Sequence, residues 1–151
     1  KFQINFMKKN NIEFSHSDYD IIDSYSKKIG HFKIPKIITK KDLLKCCDIG
    51  LSSVMVSQRL LKKEKFSSLK TKEDYLLWIQ MIKYTIKFIG IKKKLVCWRK
   101  LDNSLSSSIF QKLKDAFRLY KFNLKFSFLY TIFCVLRLSY YTFKKKIIIY
   151  L

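Results

Sequence analysis

The sequence is poor in the residues that mark turns. Its 151 residues include three Gly and one Pro, whereas 48% of them are hydrophobic and 16% aromatic. This composition excludes a disordered or collagen-like chain, in which Gly, Pro and polar residues dominate. A chain of this length is long enough to bury a hydrophobic core of its own.

Acidic residues and arginine are also scarce. The chain has 11 Asp and Glu against 32 Lys and Arg, and four of the basic residues are Arg, so its formal net charge is +21. This excess favours an anionic partner such as a nucleic acid, a nucleotide or a membrane surface. Specific phosphate recognition relies mostly on the bidentate Arg fork. The Lys excess is therefore equally typical of solvated faces.

Cysteine and histidine do not form a metal-binding pattern. Cys46 and Cys47 are adjacent, Cys97 and Cys134 stand alone, and neither of the two His lies near a useful Cys pair. Zinc-ligand spacing is absent, so we predict buried, reduced thiols. His16 lies on the apolar face of a predicted strand and is expected to pack in the core rather than act in catalysis.

The apolar run at 126–136 contains 11 residues between Lys125 and Arg137. It is too short to span a bilayer, which needs about 20 apolar residues. Two interpretations stay open. The run belongs either to a basic, aromatic segment that lies at a membrane surface, or to a helix that packs on the domain.

Alternating apolar residues predict several strands. We expect strands at 12–16, 52–56, 85–89 and 94–98. A connecting loop is predicted around Pro35, at residues 28–37.

Helical spacing and cap residues predict helices elsewhere. Thr39 followed by Asp42 predicts a short capped helix. Thr71 is the predicted cap of a helix at 73–83. Residues 103–146 read as one or two long helices, the first of them at 105–118. The sequence as a whole therefore predicts an α/β fold.

Two acidic pairs are candidates for chemistry. Asp18 and Asp20 are two residues apart, and on an extended segment they would share a face and could hold Mg²⁺ or Mn²⁺. The pattern is short and frequent by chance, so a solvated loop is the favoured interpretation. Glu73 and Asp74 begin an apolar helix, where the helix dipole favours acids. An apolar surround would also raise a carboxylate pKa toward the range of a general base.

Four stretches, in this order, resemble the C-terminal half of family 2 glycosyltransferases of the GT-A fold, especially bacterial enzymes of surface-polysaccharide synthesis. They are "FMKKNNIEFSHSDYDIID", "LLKCCDIGLSSVMVSQRLL", "TKEDYLLWIQMI" and "LVCWRKLDNSLSSS". Together they cover residues 1 to about 120. The resemblance implies an acceptor-side GT-A part at 1–102, followed by a helical extension at 103–151 that is a candidate for membrane-surface association.

The resemblance also implies a function. The complete enzyme would transfer a sugar, with inversion, from a nucleotide-sugar donor to a glycan or lipid-linked acceptor. It would work in the cytoplasm or at the inner face of the cell membrane. The donor-binding half and the metal-binding Asp-x-Asp would precede Lys1, so the ligands of Mg²⁺ or Mn²⁺ would lie outside this chain. The chain alone is therefore expected to be an inactive fragment.

The resemblance assigns roles to five residues. Asp74 would be the catalytic base and Glu73 its supporting neighbour, which orients it or contacts the acceptor. Arg59, Trp98 and Arg99 would bind substrate: Trp98 would stack on a sugar face, and Arg99 would meet the donor diphosphate or the acceptor.

Two other functions compete with this reading. The charge and aromatic content are typical of a small nucleic-acid-binding protein. However, we find neither an Arg-bearing recognition helix nor an aromatic-basic RNA motif, so no nucleic-acid partner is predicted. A protein that binds an anionic membrane surface through residues 122–146 is the second alternative.

Overall fold

The fold is centred on a mixed β-sheet that is built on two long parallel strands. The outer strands pair antiparallel with these two, in the order β2-β1-β5-β3, and a two-residue strand β4 also pairs with β1. The strands are β1 (Phe14–Ile22), β2 (Lys28–Phe32), β3 (Ile37–Ile38), β4 (Met55–Val56) and β5 (Phe88–Arg99).

Six α-helices surround this sheet in the part of the chain that the computed structural model describes, namely residues 1–101 and 108–150, with side chains as far as Lys145. A π-helical turn, Leu119–Asn123, continues the fifth helix. The helices are α1 (Phe2–Lys9), α2 (Lys40–Lys45), α3 (Gln58–Leu61), α4 (Glu73–Met81), α5 (Ile109–Arg118) and α6 (Phe128–Tyr150).

Strand β1 lies inside the sheet, with β2 and β5 paired to its two edges, and its first five residues are buried. Phe14 stacks on Phe88 of β5, with ring centroids 3.7 Å apart, and meets Trp78 of α4 edge-on at 5.0 Å. Opposite His16, strand β5 carries Gly90, where an added Cβ would lie 2.1 Å from the Pro35 carbonyl oxygen. A glycine is therefore required for this close backbone approach.

One hydrophobic core joins the two halves of the chain. Helix α4 is buried almost all round, and its side chains share a cluster with the sheet, with Leu119 and Tyr120 of the π-helical turn, and with Cys134 and Leu138 of α6. Packing therefore connects the segments that the sequence divides at residue 102. None of the described helices combines the length and the apolar character needed to cross a membrane.

The predicted helices are confirmed where the structure describes them. Helix α4 begins where the prediction at 73–83 does and ends two residues earlier, at Met81. Helix α5 begins at Ile109, while residues 103–107 of the helical prediction at 103–146 lie outside the described part. Thr39 and Asp42 form a reciprocal capping box at the start of α2. The chain turns between α5 and α6 at Lys125, which has a φ of 56°.

Two strand predictions, at 52–56 and at 85–89, were wrong in part. Within 52–56, Met55 and Val56 form the short strand β4. The preceding residues, Leu51–Ser53, form a short 3₁₀ turn, because Ser53 donates to the Gly50 carbonyl from both its amide (2.9 Å) and its hydroxyl (2.8 Å). Such local hydrogen bonds compete with strand pairing.

The predicted loop at 28–37 contains the strand β2, because Pro35 lies beyond its paired residues and so removes no hydrogen bond from it. The predicted strand at 94–98 is confirmed as part of β5, whereas the prediction at 85–89 holds only for residues 88 and 89, where β5 begins. The register of β5 against β1 shifts between Ile91 and Lys94, so the lysines between these two residues form a bulge.

The environment of two other groups differs from the prediction. The Asp18–Asp20 segment is part of the central strand β1 and is not a solvated loop. Of the four thiols, Cys46 and Cys134 are buried, whereas Cys97 is exposed. Cys97 lies near the end of β5, which extends past the core.

Candidate active site

An open cavity of about 470 Å³ lies along the second halves of the two parallel strands. Tyr19 of β1 and Val96 and Trp98 of β5 form one wall, and the segment Ile49–Ser53 forms another. Residues 70–74, which lead into α4, close the cavity. Ligands of α/β proteins commonly bind at the carboxyl ends of parallel strands, so this position favours a binding site.

The start of α4 places Glu73 and Asp74 at this cavity. They are the first two residues of the helix, where the exposed backbone N–H groups favour negative charge. The residue before them, Lys72, has a left-handed φ of 71°, and its side chain makes no capping hydrogen bond. A non-glycine residue in this region costs about 1–3 kcal/mol, so the surrounding structure must hold the turn in place.

The predicted Thr71 cap was wrong, because Thr71 bonds to a distant carboxylate instead. Its amide and its hydroxyl donate to Oδ2 of Asp115 at 2.9 and 3.0 Å. Nε2 of Gln111 donates to the same oxygen at 2.9 Å, and the Arg118 guanidinium lies 3.7 Å from Oδ1. Asp115 thereby fixes the segment that precedes the acidic pair.

Asp115 is fully buried on α5. Burial alone would raise its pKa, but the hydrogen bonds from Gln111 and Thr71 hold the pKa below its ordinary value. Sequence reasoning missed this residue. The signal was the lone acid in an otherwise basic helix, next to the buried Ala116.

Asp74 is half-buried, and its Oδ1 accepts a hydrogen bond from the Tyr75 amide at 2.7 Å. Burial raises the pKa of Asp74; the Tyr75 amide opposes this rise, and the Glu73 carboxylate adds to it. Its carboxylate therefore holds a proton more readily than an exposed Asp does. This property suits a group that accepts a proton from a hydroxyl.

Two aromatic side chains line the same cavity as the acids. Trp98 is 39% exposed and lines the cavity, so its ring can contact a flat apolar face of a ligand. Tyr19 packs against Gly50, where an added Cβ would lie 2.8 Å from Cε1 of the tyrosine ring. Burial also raises the pKa of Tyr19, which keeps its hydroxyl protonated as a donor.

The structure places both candidate arginines elsewhere. The Arg59 side chain forms a two-pronged ion pair with Glu13, at 2.9 Å from Nε and 2.8 Å from Nη2. Arg99 donates to the carbonyls of Asp23 and Ser24 at 2.8 and 3.0 Å, so it fastens the turn between β1 and β2. Thus Trp98, Glu73 and Asp74 share the cavity, whereas Arg59 and Arg99 make structural contacts outside it.

The Asp18–Asp20 pair is occupied by protein groups. Oδ1 of Asp18 accepts from the Ile34 amide at 2.8 Å. Asp20 is paired with Lys28 at 3.0 Å and with Lys94 at 3.2 Å, and these lysines lower its pKa. Among the described residues, no three His, Cys, Asp or Glu side chains are grouped as a metal site would require.

Comparison with known proteins shows which class of protein the chain resembles. The chain is 37% identical, over 116 residues, to the UDP-Glc:alpha-D-GlcNAc-diphosphoundecaprenol beta-1,3-glucosyltransferase WfgD of Escherichia coli. It is 31% identical over 111 residues to the E. coli enzyme WfaP, which has the same activity name. The chain is homologous to bacterial glycosyltransferases. This finding confirms the glycosyltransferase resemblance seen in the sequence.

A third relative extends the match along most of the chain. The putative teichuronic acid biosynthesis glycosyltransferase TuaG of Bacillus subtilis is 23% identical over 146 residues, or 96% of the chain. WfgD and WfaP match over 76% and 74% of it. The chain spans about half the length of these glycosyltransferases: 45% of WfgD, 58% of TuaG and 43% of WfaP. No protein-family model matches it.

Proposed function

We propose that this chain is the acceptor-side part of a GT-A glycosyltransferase. The complete enzyme transfers a sugar, with inversion, from a nucleotide-sugar donor to a lipid-linked acceptor. One observation carries the proposal: in a homologue of glycosyltransferases, Glu73 and Asp74 open into the same cavity as Trp98. The relatives WfgD and WfaP, whose names give a UDP-glucose donor and a diphosphoundecaprenol-linked acceptor, support this substrate class.

Asp74 is the catalytic base of the proposed reaction. The acceptor hydroxyl attacks the anomeric carbon from the side opposite the nucleoside diphosphate. A bond forms from that carbon to the acceptor oxygen, the bond to the diphosphate oxygen breaks, and the hydroxyl proton passes to Asp74. Because burial raises the pKa of Asp74, the carboxylate is better matched to this transfer than an exposed Asp.

The other cavity residues hold the substrates in line. Glu73 orients Asp74 or contacts the acceptor, and the Trp98 ring stacks on a sugar face. The structural contacts of Arg59 and Arg99 give no support to the substrate-binding role that the resemblance implies for them. That role stays a prediction.

A divalent metal is part of the proposal for the complete enzyme, but the described residues do not fit one. Asp18 is bonded to a backbone amide, and Asp20 is paired with lysines. The metal ligands are therefore proposed to lie outside this chain, and the steps above do not use them. A location at the inner face of the cell membrane follows from the proposed lipid-linked acceptor.

The proposal is tested with Asp74→Asn in a longer polypeptide. This polypeptide joins the chain to the part of such a relative that the chain does not match. Asparagine still accepts the hydrogen bond from the Tyr75 amide but cannot take the proton. Because a general base contributes roughly 10²- to 10⁴-fold, we expect kcat to fall at least about 100-fold. Donor affinity and thermal stability should change little.

Two variants serve as controls for this experiment. Asp20→Asn removes an acid outside the cavity and should keep nearly full turnover, and Glu73→Gln should cost less than Asp74→Asn. If Asp74→Asn retains nearly full turnover, Glu73 and Asp74 serve only to start helix α4, and the assignment of the base fails.

A further inference from the structure

A second, largely apolar groove lies between α5 and α6. Its volume is about 180 Å³, and its apolar walls are Ile109, Leu113 and Ala116 of α5 together with Leu138 and Phe143 of α6. Leu113 and Phe143 are 43% and 66% exposed. The groove is therefore open, and a ligand can enter it without unfolding the core.

Lys72 connects this groove to the carboxylate cavity, because it lines both of them. Its backbone position is fixed by the left-handed turn that Thr71 and Asp115 hold. One residue thus separates the acids at the start of α4 from the apolar surface of α5 and α6.

The charge at this junction is positive and crowded. Lys112 also lines the groove, and Lys72 is half-buried. Burial lowers the pKa of Lys72, Cys47 and Asp74 raise it, and the positive charges of Lys112 and Lys145 lower it again. An anion with two or more charges beside these ammonium groups would relieve their repulsion.

We propose that this groove holds the first isoprenoid units of a polyprenyl diphosphate-linked acceptor, with its diphosphate beside Lys72 and Lys112. The inference rests on the proposed function, whose acceptor has three parts in sequence: a sugar, a diphosphate and a lipid. The protein presents three surfaces in the same sequence: the carboxylate cavity, the lysines and the apolar groove. This match of order, polarity and charge selects a lipid diphosphate over a bilayer or a second copy of the chain as the occupant.

The test compares three probes on the chain as it stands. Farnesyl diphosphate carries both the charge and a short isoprenoid chain, inorganic diphosphate carries only the charge, and farnesol carries only the isoprenoid chain. Calorimetric titrations are made below the critical micelle concentration of farnesyl diphosphate. We expect this probe to bind at least about tenfold more tightly than diphosphate, a difference of about 1.4 kcal/mol. Lys72→Gln should weaken both diphosphate-bearing probes and leave farnesol unaffected.

A matched pair of double variants locates the lipid chain. Leu113→Gln with Phe143→Gln changes the groove, whereas Leu136→Gln with Phe110→Gln removes the same two residue types from exposed positions of α5 and α6 outside it. The groove variant should lose about tenfold in affinity for farnesyl diphosphate and keep its affinity for diphosphate. The control variant should change neither affinity more than about twofold.

Several outcomes would overturn the inference. Farnesyl diphosphate that binds no more tightly than diphosphate would show that the groove takes no lipid chain. Equal losses in the two double variants would indicate general adhesion of apolar surface, as expected for a bilayer or for self-association. If the groove variant unfolds, a photoreactive farnesyl diphosphate decides on the unaltered chain: cross-links outside peptides 109–116 and 138–143 would contradict the proposal.

The experiment is independent of the test of the base. It needs neither a donor nor turnover, so it can fail while Asp74→Asn still lowers kcat as expected. Conversely, the groove can bind farnesyl diphosphate even if Asp74 proves not to be the base.

Discussion

Two acidic pairs of this protein look alike in sequence and differ in their surroundings. Asp18 and Asp20 lie on β1 between other strands, and amide or lysine groups bind both carboxylates. Glu73 and Asp74 lie at the start of α4 and line an open cavity. The first pair matches the formal Asp-x-Asp pattern, whereas the second pair is the one that lines this cavity.

The contrast is visible in the direction of the pKa shifts. The Lys28 ammonium and then Lys94 hold the pKa of Asp20 below its usual range, which keeps the carboxylate charged and occupied. Burial raises the pKa of Asp74. A carboxylate with a neighbouring cation is a poor proton acceptor, whereas a partly desolvated one is a better acceptor. The surroundings, and not the motif, therefore distinguish the two pairs.

The largest effect on stability is expected from a substitution of Asp115, which fixes the segment before Glu73 and Asp74. Asp115→Ala removes the acceptor of three hydrogen bonds, from Gln111 and twice from Thr71, and leaves the two buried donors of Thr71 unsatisfied. We expect the free energy of unfolding to fall by about 3–5 kcal/mol, as when one partner of a buried polar network is lost. Urea denaturation measures this loss.

Asp115→Asn is the matched control, since its amide oxygen can still accept part of these hydrogen bonds. It should lose less stability than Asp115→Ala. A loss below about 1 kcal/mol for Asp115→Ala would show that the start of α4 is fixed by other contacts, and the contrast between the two acidic pairs would lose its structural basis.

The second prediction concerns the β1 pair and its neighbour His16. His16 is fully buried, and within the described residues neither ring nitrogen has a hydrogen-bond partner. Burial lowers its pKa to about 4, although Asp48 and Asp18 favour the charged form and Lys92 opposes it. The neutral ring therefore contributes stability that is complete above the unfolded pKa of about 6.5 and is lost as the pH falls toward 4.

His16→Leu cannot take up a proton and should be spared this loss. Near pH 7 the variant should be at least as stable as the unaltered protein, because it no longer buries two ring nitrogens without partners. By pH 4 the variant should gain on the order of 3 kcal/mol relative to the unaltered protein, following about 1.4 kcal/mol per pKa unit. A difference that stays constant from pH 7 to pH 4 would contradict the buried neutral state of His16.

Local features of the fold could be predicted from the sequence. The span of α4, its two leading acids and the Thr39–Asp42 capping box follow from helical spacing and cap chemistry within a few residues. The glycosyltransferase resemblance also singled out Trp98, which the structure brings to the same cavity as the acids. These features depend on interactions between near neighbours in the chain.

Long-range partners could not be predicted in the same way. Thr71 bonds to Asp115, which lies 44 residues away, and no local pattern distinguishes this from a helix cap. Likewise Arg59 has the type of side chain that binds phosphate, but it pairs with Glu13, 46 residues earlier. Whether an acid or an arginine is occupied depends on tertiary packing, and this decides between a structural and a catalytic role.

The smallest expected effect concerns another paired acid, Glu13, and sharpens the same contrast. Its partner Arg59 is 80% exposed, so Arg59→Gln should lower the unfolding free energy by less than about 1 kcal/mol, and the loss should shrink further in high salt. Thermal melts at low and high ionic strength measure this change.

Trp98→Ala is the comparison for substrate binding, because Trp98 lines the cavity and Arg59 lies elsewhere. If Arg59→Gln weakens donor or acceptor binding as much as Trp98→Ala does, Arg59 leaves Glu13 to bind substrate. An ion pair in the structure would then not be evidence against a role in substrate binding. The paired Asp18 and Asp20 would have to be tested for function as well.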